Sequence, residues 1–364
     1  LEEGSGDLRA QDYARAVESL AASFSYDADK DSVSISARFL SENRDAAVDL
    51  LRQTLFEPRF DQDALDRVRA QVLAGLRADA KSPNKIANRA FARMAFGDHP
   101  YGSNGKGTAE TVSALSRQDI FDAHEAVFAR DRVYVSAVGD ITAEELGQLL
   151  DELLGALPDS GAPIPGPAEV QIDGGVTVVD FDTPQSVALF AQKGIERHDP
   201  DFFTAYVMNQ ILGGGSFETR LMTEVREKRG LTYGVYSYLV PSDLAAIYMG
   251  SVASANGKMA EAVQVIRDEW RRMAEAGVTE KELRDAQTYL TGAYPLRFDG
   301  NGRIASILTG MQMDDLPISY VETRNDRINA VTLEQLNAFA ARFMDPEGLH
   351  FTIVGRPEGL ETTN

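Results

Sequence analysis

A cation and a phenol stand seven residues apart in the second half of this sequence. Arg226 lies near the end of an amphipathic stretch, Tyr233 lies near the start of a strand-like one, and Gly230 stands between them. A turn at Gly230 would bring both side chains to one edge of a sheet. A guanidinium and a phenolic O–H can bind a peptide carbonyl and stabilise a developing oxyanion. Taken alone, such residues are more often a solvated ion-pair member and a half-buried strand aromatic, so the surrounding elements must decide.

The segment that carries this pair, residues 213–237, reads GGGSFETRLMTEVREKRGLTYGVYS. It predicts a glycine-rich turn, then a short helix with Leu221 and Val225 facing inward. The helix is expected to stop at Gly230, and a strand is expected to begin near Tyr233. Two elements therefore meet at the turn between the cation and the phenol.

The glycine-rich turn consists of Gly213, Gly214, Gly215 and Ser216. No Lys-Ser/Thr pair follows it, as it would in a P-loop, and no dinucleotide G-x-G-x-x-G spacing is present. We interpret it as a flexible turn that ends a helix.

The histidines give no local zinc motif. His124 and Glu125 begin an H-E-x-x-H pattern, but Phe128 stands where the second histidine belongs, so His124 is predicted to be a helix-surface residue. The remaining histidines are isolated from one another: His99, His198 and His350. A Ser-His-Asp triad is not excluded by spacing, although no G-x-S-x-G elbow appears.

Composition excludes several other classes of protein. The 364 residues contain 36 Lys and Arg against 56 Asp and Glu, a net charge of −20 that disfavours nucleic acid and anionic membranes as partners. The absence of cysteine excludes disulfides, thiol catalysis and cysteine-based zinc sites. No apolar run is long enough to predict a membrane span.

The chain length predicts two domains joined by a linker. The densest proline and glycine stretch, residues 157–167, reads LPDSGAPIPGP and disfavours helix and strand alike. We therefore predict domains at residues 1–157 and 168–364, with a linker at 158–167.

The two predicted domains match each other in order and spacing. Corresponding helices and strands are separated by 215 to 218 residues: Val48 with Val263, Leu65 with Leu283, Ser116 with Thr332, and Val138 with Val354. The last pair belongs to predicted strands at 133–138 and 350–354. The chain is thus predicted to be a duplicated unit.

The duplication also predicts that the first domain is incomplete. An offset of 216 maps two strands of the second domain, 176–181 and 186–192, and its helix at 201–212, to positions before residue 1. We expect a segment preceding residue 1 to supply their counterparts. Predicted strands 233–240 and 245–253 flank a turn at Pro241-Ser242-Asp243, which favours an antiparallel hairpin and an α+β fold.

Residues 213–237, together with the duplicated halves and their linker, closely resemble the pitrilysin and mitochondrial-processing-peptidase family of inverted-motif zinc peptidases. The landmarks His99-Pro100-Tyr101-Gly102 with Gly107, and Val138-Gly139-Asp140, support the likeness, which covers nearly the whole chain. The resemblance implies two homologous α/β-sandwich domains of the processing-peptidase metallohydrolase type. The first would lack its N-terminal strands and helix.

The same resemblance implies roles for individual residues. The half of such peptidases that lacks the metal supplies an Arg and a Tyr seven residues apart. Carried over, Arg226 would hold a substrate carbonyl, and Tyr233 would stabilise the tetrahedral intermediate formed by zinc-bound hydroxide. Gly213, Gly214, Gly215 and Ser216 would contact the extended peptide.

One departure from the family pattern concerns the metal. By the duplication offset, the helix with the H-x-x-E-H motif would fall before residue 1, and its glutamate partner would lie on the predicted helix 61–79. Between Asp66 and Asp79 that helix has no carboxylate, and Gln71, Ala74 and Gly75 occupy the relevant region. Because none of these supplies an anionic oxygen, we predict no metal site in this chain.

The resemblance then implies a zinc-free subunit that pairs with a zinc-bearing homologue, as a heterodimer or heterotetramer, to hydrolyse an extended peptide. Zinc would reside in the partner, and the peptide would add as a strand to the partner's sheet edge. Two alternatives remain open, a structural or peptide-binding core subunit without a role in hydrolysis, and an autonomous peptidase that binds zinc itself. The periplasm is the expected compartment, with the cytoplasm as the alternative.

Overall fold

The computed structural model describes residues 1–215 and 218–363, which pack as two compact units. Unit 1 comprises Leu1–Arg77, Gly105–Ile164 and Phe298–Pro317. Unit 2 comprises Ala78–Asn104, Pro165–Arg297 and the described residues from Ile318 onward. Each unit contains both helices and strands.

The described strands are β1 (Gly4–Ser5), β2 (Leu8–Arg9), β3 (Ser23–Ala28), β4 (Val33–Arg38), β5 (Gly175–Asp180), β6 (Gln185–Lys193), β7 (Val235–Ser242), β8 (Ala245–Ala255) and β9 (His350–Gly355). The described α-helices are α1 (Ala10–Ser19), α2 (Arg44–Phe56), α3 (Gln62–Asp79), α4 (Pro83–Phe96), α5 (Ala109–Ala114), α6 (Arg117–Val127), α7 (Ala143–Leu154), α8 (Phe202–Leu212), α9 (Met259–Ala276), α10 (Glu280–Ala293), α11 (Asn301–Met313), α12 (Tyr320–Asn329) and α13 (Leu333–Phe343). A π-helical turn, Met222–Glu227, lies between α8 and β7.

Unit 2 is built on a five-stranded sheet in the order β5-β9-β6-β8-β7. β5 and β9 run parallel, and the other neighbours are antiparallel. One face packs on helices, where the ring of Trp270 stacks on Tyr248 at 5.2 Å and meets Phe190 edge-on at 5.6 Å. The Trp270 indole N–H donates to Gln192 Oε1 at 2.7 Å, so its one polar atom is satisfied in the core.

The opposite face of this sheet packs against α4. Phe91 and Ala95 of α4 share a buried cluster with Leu189, Met249 and Val354 of the strands. Because successive side chains of a strand point to opposite faces, β6 and β9 are apolar on both sides and are covered by helices on both. Unit 2 is therefore a three-layer structure with the sheet in the middle.

The predicted antiparallel hairpin is present as β7 and β8. The register pairs Ser242 with Ala245, so the turn consists of Asp243 and Leu244. Pro241 and Ser242, which were predicted to lie in the turn, belong to β7. Proline is tolerated there because β7 is an edge strand of the described sheet.

Unit 1 contains the antiparallel pair β3 and β4 and a smaller apolar cluster. In that cluster Val48 and Leu55 of α2 pack with Leu153 of α7, and Phe24 and Ile35 of the two strands lie against them. The hairpin thus has one covered side.

The predicted strand 133–138 in unit 1 is wrong, because these residues form no strand. Their counterpart β9 is held between β5 and β6. The duplication maps the first-half equivalents of those two strands before residue 1, so no strand lies beside 133–138 in the part of the chain described. Instead the Val135 carbonyl accepts from Gln312 at 2.7 Å, and Ser136 donates to the Ala305 carbonyl at 2.7 Å.

The units do not each consist of one continuous half of the sequence. α4, from the first half, belongs to unit 2, and α11, from the second half, belongs to unit 1. Residues 158–167 contain no helix or strand. The boundaries 1–157, 158–167 and 168–364 refer to the duplicated sequence and stay a prediction.

Candidate functional site

The glycine-rich turn follows α8 and lies directly against β7. The Gly213 carbonyl accepts from Ser237 N–H at 2.9 Å, and a Cβ at Gly213 would lie 2.7 Å from that nitrogen. A Cβ at Gly214 would lie 2.6 Å from Gln210 Cα. Both positions therefore require glycine for close backbone approach. Gly215 has a φ of 86° with open space beside it, and Ser216 lies outside the described residues.

Arg226 lies on the π-helical turn Met222–Glu227. Lys228 N–H donates to the Thr223 carbonyl at 3.0 Å, the i to i+5 pattern of a π-helix. Met222 and Val225 are buried, whereas Arg226 is half-buried. The turn ends at Gly230, which has a φ of 59°, as predicted. Single π-turns are frequent at functional sites.

A partly buried ion pair fixes the residues that precede the π-turn. Arg220 donates to both carboxylate oxygens of Glu282 at 2.7 and 3.0 Å, and to the Gly277 carbonyl at 2.8 Å. Burial opposes ionisation of Glu282, but the hydrogen bonds from Arg220 and from the Thr279 backbone outweigh it and lower the pKa of Glu282 to about 2. The pair is therefore charged at neutral pH.

A second ionic cluster holds the π-turn itself. Glu224 accepts from Lys228 at 2.6 Å and from Arg229 at 2.7 Å, and Arg272 of α9 lies 3.9 Å away. The hydrogen bond from Lys228, opposed by burial and aided by Arg229, lowers the pKa of the Glu224 carboxyl. Lys228 and Arg229, the cations that end this short helix, are thus neutralised locally by Glu224.

Tyr233 lies in the loop between Gly230 and β7, and 89% of its surface is exposed. Thr232, next to it, accepts from Gly234 N–H at 3.1 Å and reaches the Ala253 carbonyl at 2.7 Å. The strand begins at Val235, so the predicted start near Tyr233 is two residues early. Arg226 and Tyr233 therefore belong to one connection, from the π-turn to β7. That they act on one peptide group stays a prediction.

His124 is not the simple helix-surface residue that was predicted. Its ring packs against Phe128 at 5.0 Å and Phe60 at 6.0 Å, and its Nε2 is buried without a hydrogen-bond partner. Burial lowers the pKa of His124 and favours the neutral ring. Phe128, the residue that breaks the H-E-x-x-H pattern, forms part of this apolar contact.

α3 forms as predicted, and its carboxylate-free stretch includes Gly75, where an added Cβ would meet no atom within 4 Å. The packing thus leaves room there for a larger side chain, which the sequence does not provide. Within residues 1–215 and 218–363, no group of three or more His, Asp or Glu side chains is placed to hold a metal ion.

Sequence reasoning missed Thr232 and Arg220. Glu282 completes a capping box with Thr279, which is a local pattern. Its ion pair with Arg220 joins residues 62 positions apart, and no spacing rule in the sequence could find it.

Two family descriptions match the chain. Residues 3–109 match "Insulinase (Peptidase family M16)", and residues 114–290 match "Peptidase M16 inactive domain". A crystal structure of a peptidase M16 inactive domain from Pseudomonas fluorescens is 30% identical, with a TM-score of 0.91 over 100% of this chain and 87% of that one. The chain belongs to the peptidase M16 family, and residues 114–290 match the description of that family's inactive domain. The predicted family and α+β fold class are confirmed.

Curated relatives carry differing names. A protein of Helicobacter pylori named "Non-peptidase homolog YmxG" is 27% identical over 97% of this chain and 82% of its own length. An "Uncharacterized zinc protease" of Mycobacterium leprae is 29% identical over 92% of this chain and 76% of its own length. No helix in the described part of this chain is long and apolar enough to cross a membrane.

Proposed function

We propose that this chain is the zinc-free subunit of an M16 peptidase that pairs with a zinc-bearing homologue to hydrolyse extended peptides. Arg226 holds a substrate carbonyl, and Tyr233 donates to the oxyanion of the tetrahedral intermediate. Gly213, Gly214 and Gly215 contact the extended peptide. Zinc belongs to the partner, which supplies the attacking hydroxide.

The exposure of Tyr233 is the observation that carries this proposal. A tyrosine with 89% of its surface exposed contributes little to a hydrophobic core, yet the loop that bears it is fixed by the hydroxyl of Thr232. A rigid phenol and a guanidinium on one short connection suit a role in stabilising a developing negative charge, because preorganised donors need no reorganisation during the reaction.

The test is a reconstituted pair of this chain and the zinc-bearing homologue of the same organism, assayed on a fluorogenic peptide. We expect Arg226→Ala and Tyr233→Phe each to lower kcat about 10²-fold, as loss of an oxyanion donor does. Matched controls are Arg284→Ala, which removes an exposed helical ion pair, and Tyr289→Phe, which alters an exposed tyrosine of α10. Both controls should retain normal turnover.

Normal kcat in both Arg226→Ala and Tyr233→Phe would show that this chain does not contribute to the chemical step. If they instead raise KM with kcat unchanged, the chain binds peptide without assisting the reaction. Co-purification with a membrane complex, together with no effect of either variant on turnover, would favour the structural core-subunit alternative.

A further inference from the structure

The β7–β8 ladder ends in a hydroxyl instead of a direct backbone hydrogen bond. The last pair in register is Val235 with Val252, so Gly234 and Ala253 would pair next. Because Ser237 N–H points away from β8 to the Gly213 carbonyl, alternation along the strand aims Gly234 N–H toward β8. That ladder bond is replaced by a bridge through Thr232.

Thr232 Oγ1 accepts from Gly234 N–H at 3.1 Å and lies 2.7 Å from the Ala253 carbonyl oxygen. The Thr232 hydroxyl has a single proton to donate. The Gly234 carbonyl oxygen, at 2.9 Å, is a more distant acceptor for that proton than the Ala253 carbonyl oxygen. A hydroxyl that both accepts and donates can therefore stand between two backbone groups and satisfy both. Direct pairing of β7 with β8 therefore stops at Val235 and Val252, one residue before Gly234 and Ala253.

The residues on each side of this bridge are also held. Leu231 N–H donates to the Val225 carbonyl at 3.0 Å, and the Leu231 carbonyl accepts from Ser254 Oγ at 2.5 Å. Tyr233 is thus the apex of a loop whose backbone is fixed immediately before and after it. Its side chain is exposed and lies outside the strand, which begins at Val235.

We propose that Thr232 is a positioning residue, whose hydroxyl holds Tyr233 out of the β7–β8 ladder so that the phenol faces the substrate. The inference rests on the proposed function of Tyr233 and adds the residue that presents it. Thr232 itself acts through Tyr233 and contacts no reacting atom.

Thr232→Val tests the placement of Tyr233 in the chain alone. Valine has the shape of threonine without its hydroxyl, so Gly234 N–H should pair directly with Ala253 and draw Tyr233 toward the strand. We expect nitration of Tyr233 by tetranitromethane, followed by peptide mass mapping, to slow several-fold relative to Tyr289. Thr232→Ser, which keeps the hydroxyl, should retain the original rate, as should Thr288→Val at an exposed position of α10.

The reconstituted pair tests the functional consequence. Thr232→Val should lower kcat roughly 10-fold or more, within the about 10²-fold that removal of an oxyanion donor costs, and should leave KM little changed. Thr232→Ser should restore most of the loss. In a Tyr233→Phe background Thr232→Val should have no further effect, because residues that act through one another are not additive.

The outcomes separate the two ideas. Unchanged nitration of Tyr233 in Thr232→Val, or an equal loss of kcat with and without the phenol, would overturn the role of Thr232. Slowed nitration together with normal turnover in Tyr233→Phe would support the placement by Thr232 and reject the proposed function of Tyr233.

Discussion

His350 of β9 is a buried imidazole with both nitrogens satisfied in its neutral form. Nδ1–H donates to the Gly174 carbonyl at 2.6 Å, and Nε2 accepts from the Thr177 hydroxyl at 3.1 Å. Burial lowers the pKa of His350, the Gly174 carbonyl opposes that shift, and Arg267 adds to it. Protonation of Nε2 would reverse the direction of the Thr177 hydrogen bond and place a charge in the buried sheet.

This environment makes the stability of unit 2 depend on pH. The folded pKa lies below the ordinary value of 6.5, so the unfolded chain binds a proton first as the pH falls. The stability contributed by neutral His350 is complete above about pH 6.5 and is lost as the pH falls through its lowered folded pKa. We expect the free energy of unfolding in urea to decline across that range, and His350→Gln to flatten the decline.

An exposed histidine, His198, supplies the control, because His198→Gln removes an imidazole from the surface. The interpretation fails if His350→Gln and His198→Gln leave the same slope between pH 7 and pH 5. His124, also buried enough for a lowered pKa, acts in the same direction and accounts for any slope left after His350 is replaced.

Among the elements, α13 shows how local sequence sets a boundary. Thr332 Oγ1 accepts from Gln335 N–H at 3.2 Å, and Gln335 Oε1 accepts from Thr332 N–H at 3.1 Å, which completes a capping box. We expect Thr332→Ala to lower the free energy of unfolding by about 1 kcal/mol. Thr288→Ala, within α10, should change it by less than about 0.5 kcal/mol. Equal effects in urea unfolding would contradict a capping role.

Elements that depend on residues close along the chain could be predicted from the sequence. The capping boxes at Thr279 and Thr332 and the β7–β8 hairpin each depend on residues a few positions apart, and the hairpin formed as predicted except that its turn consists of Asp243 and Leu244. The strand at 133–138 was wrong because a strand also requires neighbours. The start of β7 was two residues early because a side-chain hydroxyl, that of Thr232, competes with the backbone ladder.

The sequence predicted which residues form the candidate site, but not the contacts that hold them in place. The spacing of Arg226 and Tyr233 and the stop at Gly230 are readable from the sequence. The anchors of this segment are not, because Arg220 meets Glu282 and Thr232 meets Ala253 across the fold. A pattern search finds residues that are close along the chain, whereas these partners become close only after packing.

For the whole molecule, the proposed pairing predicts where zinc is held. We expect the reconstituted pair to contain one zinc ion, and chelation by 1,10-phenanthroline to abolish hydrolysis. A ligand that binds the folded state raises its unfolding temperature. Chelation should therefore leave the unfolding temperature of this chain alone unchanged, because its described residues offer no three-ligand cluster.

Metal analysis of the separated subunits is the direct control. Zinc retained by this chain after gel filtration, or a lowered unfolding temperature after chelation, would support the autonomous-peptidase alternative instead.

The duplication was readable from the sequence, but the distribution of helices between units was not. α4 and α11 occupy corresponding places in the repeat, yet each belongs to the unit built mainly from the other half. The apolar residues of these two helices do not specify which unit each helix joins.

The place of β9 in its sheet has a consequence for synthesis on the ribosome. β9 lies between β5 and β6, although it is the last of the described strands, and Val354 joins the layer formed by residues of α4. A nascent chain that has emerged only as far as residue 340 therefore displays β5 and β6 with their inner edges bare. Such edges attract other strands. Chaperone capture of nascent chains should thus last until β9 has emerged from the ribosome.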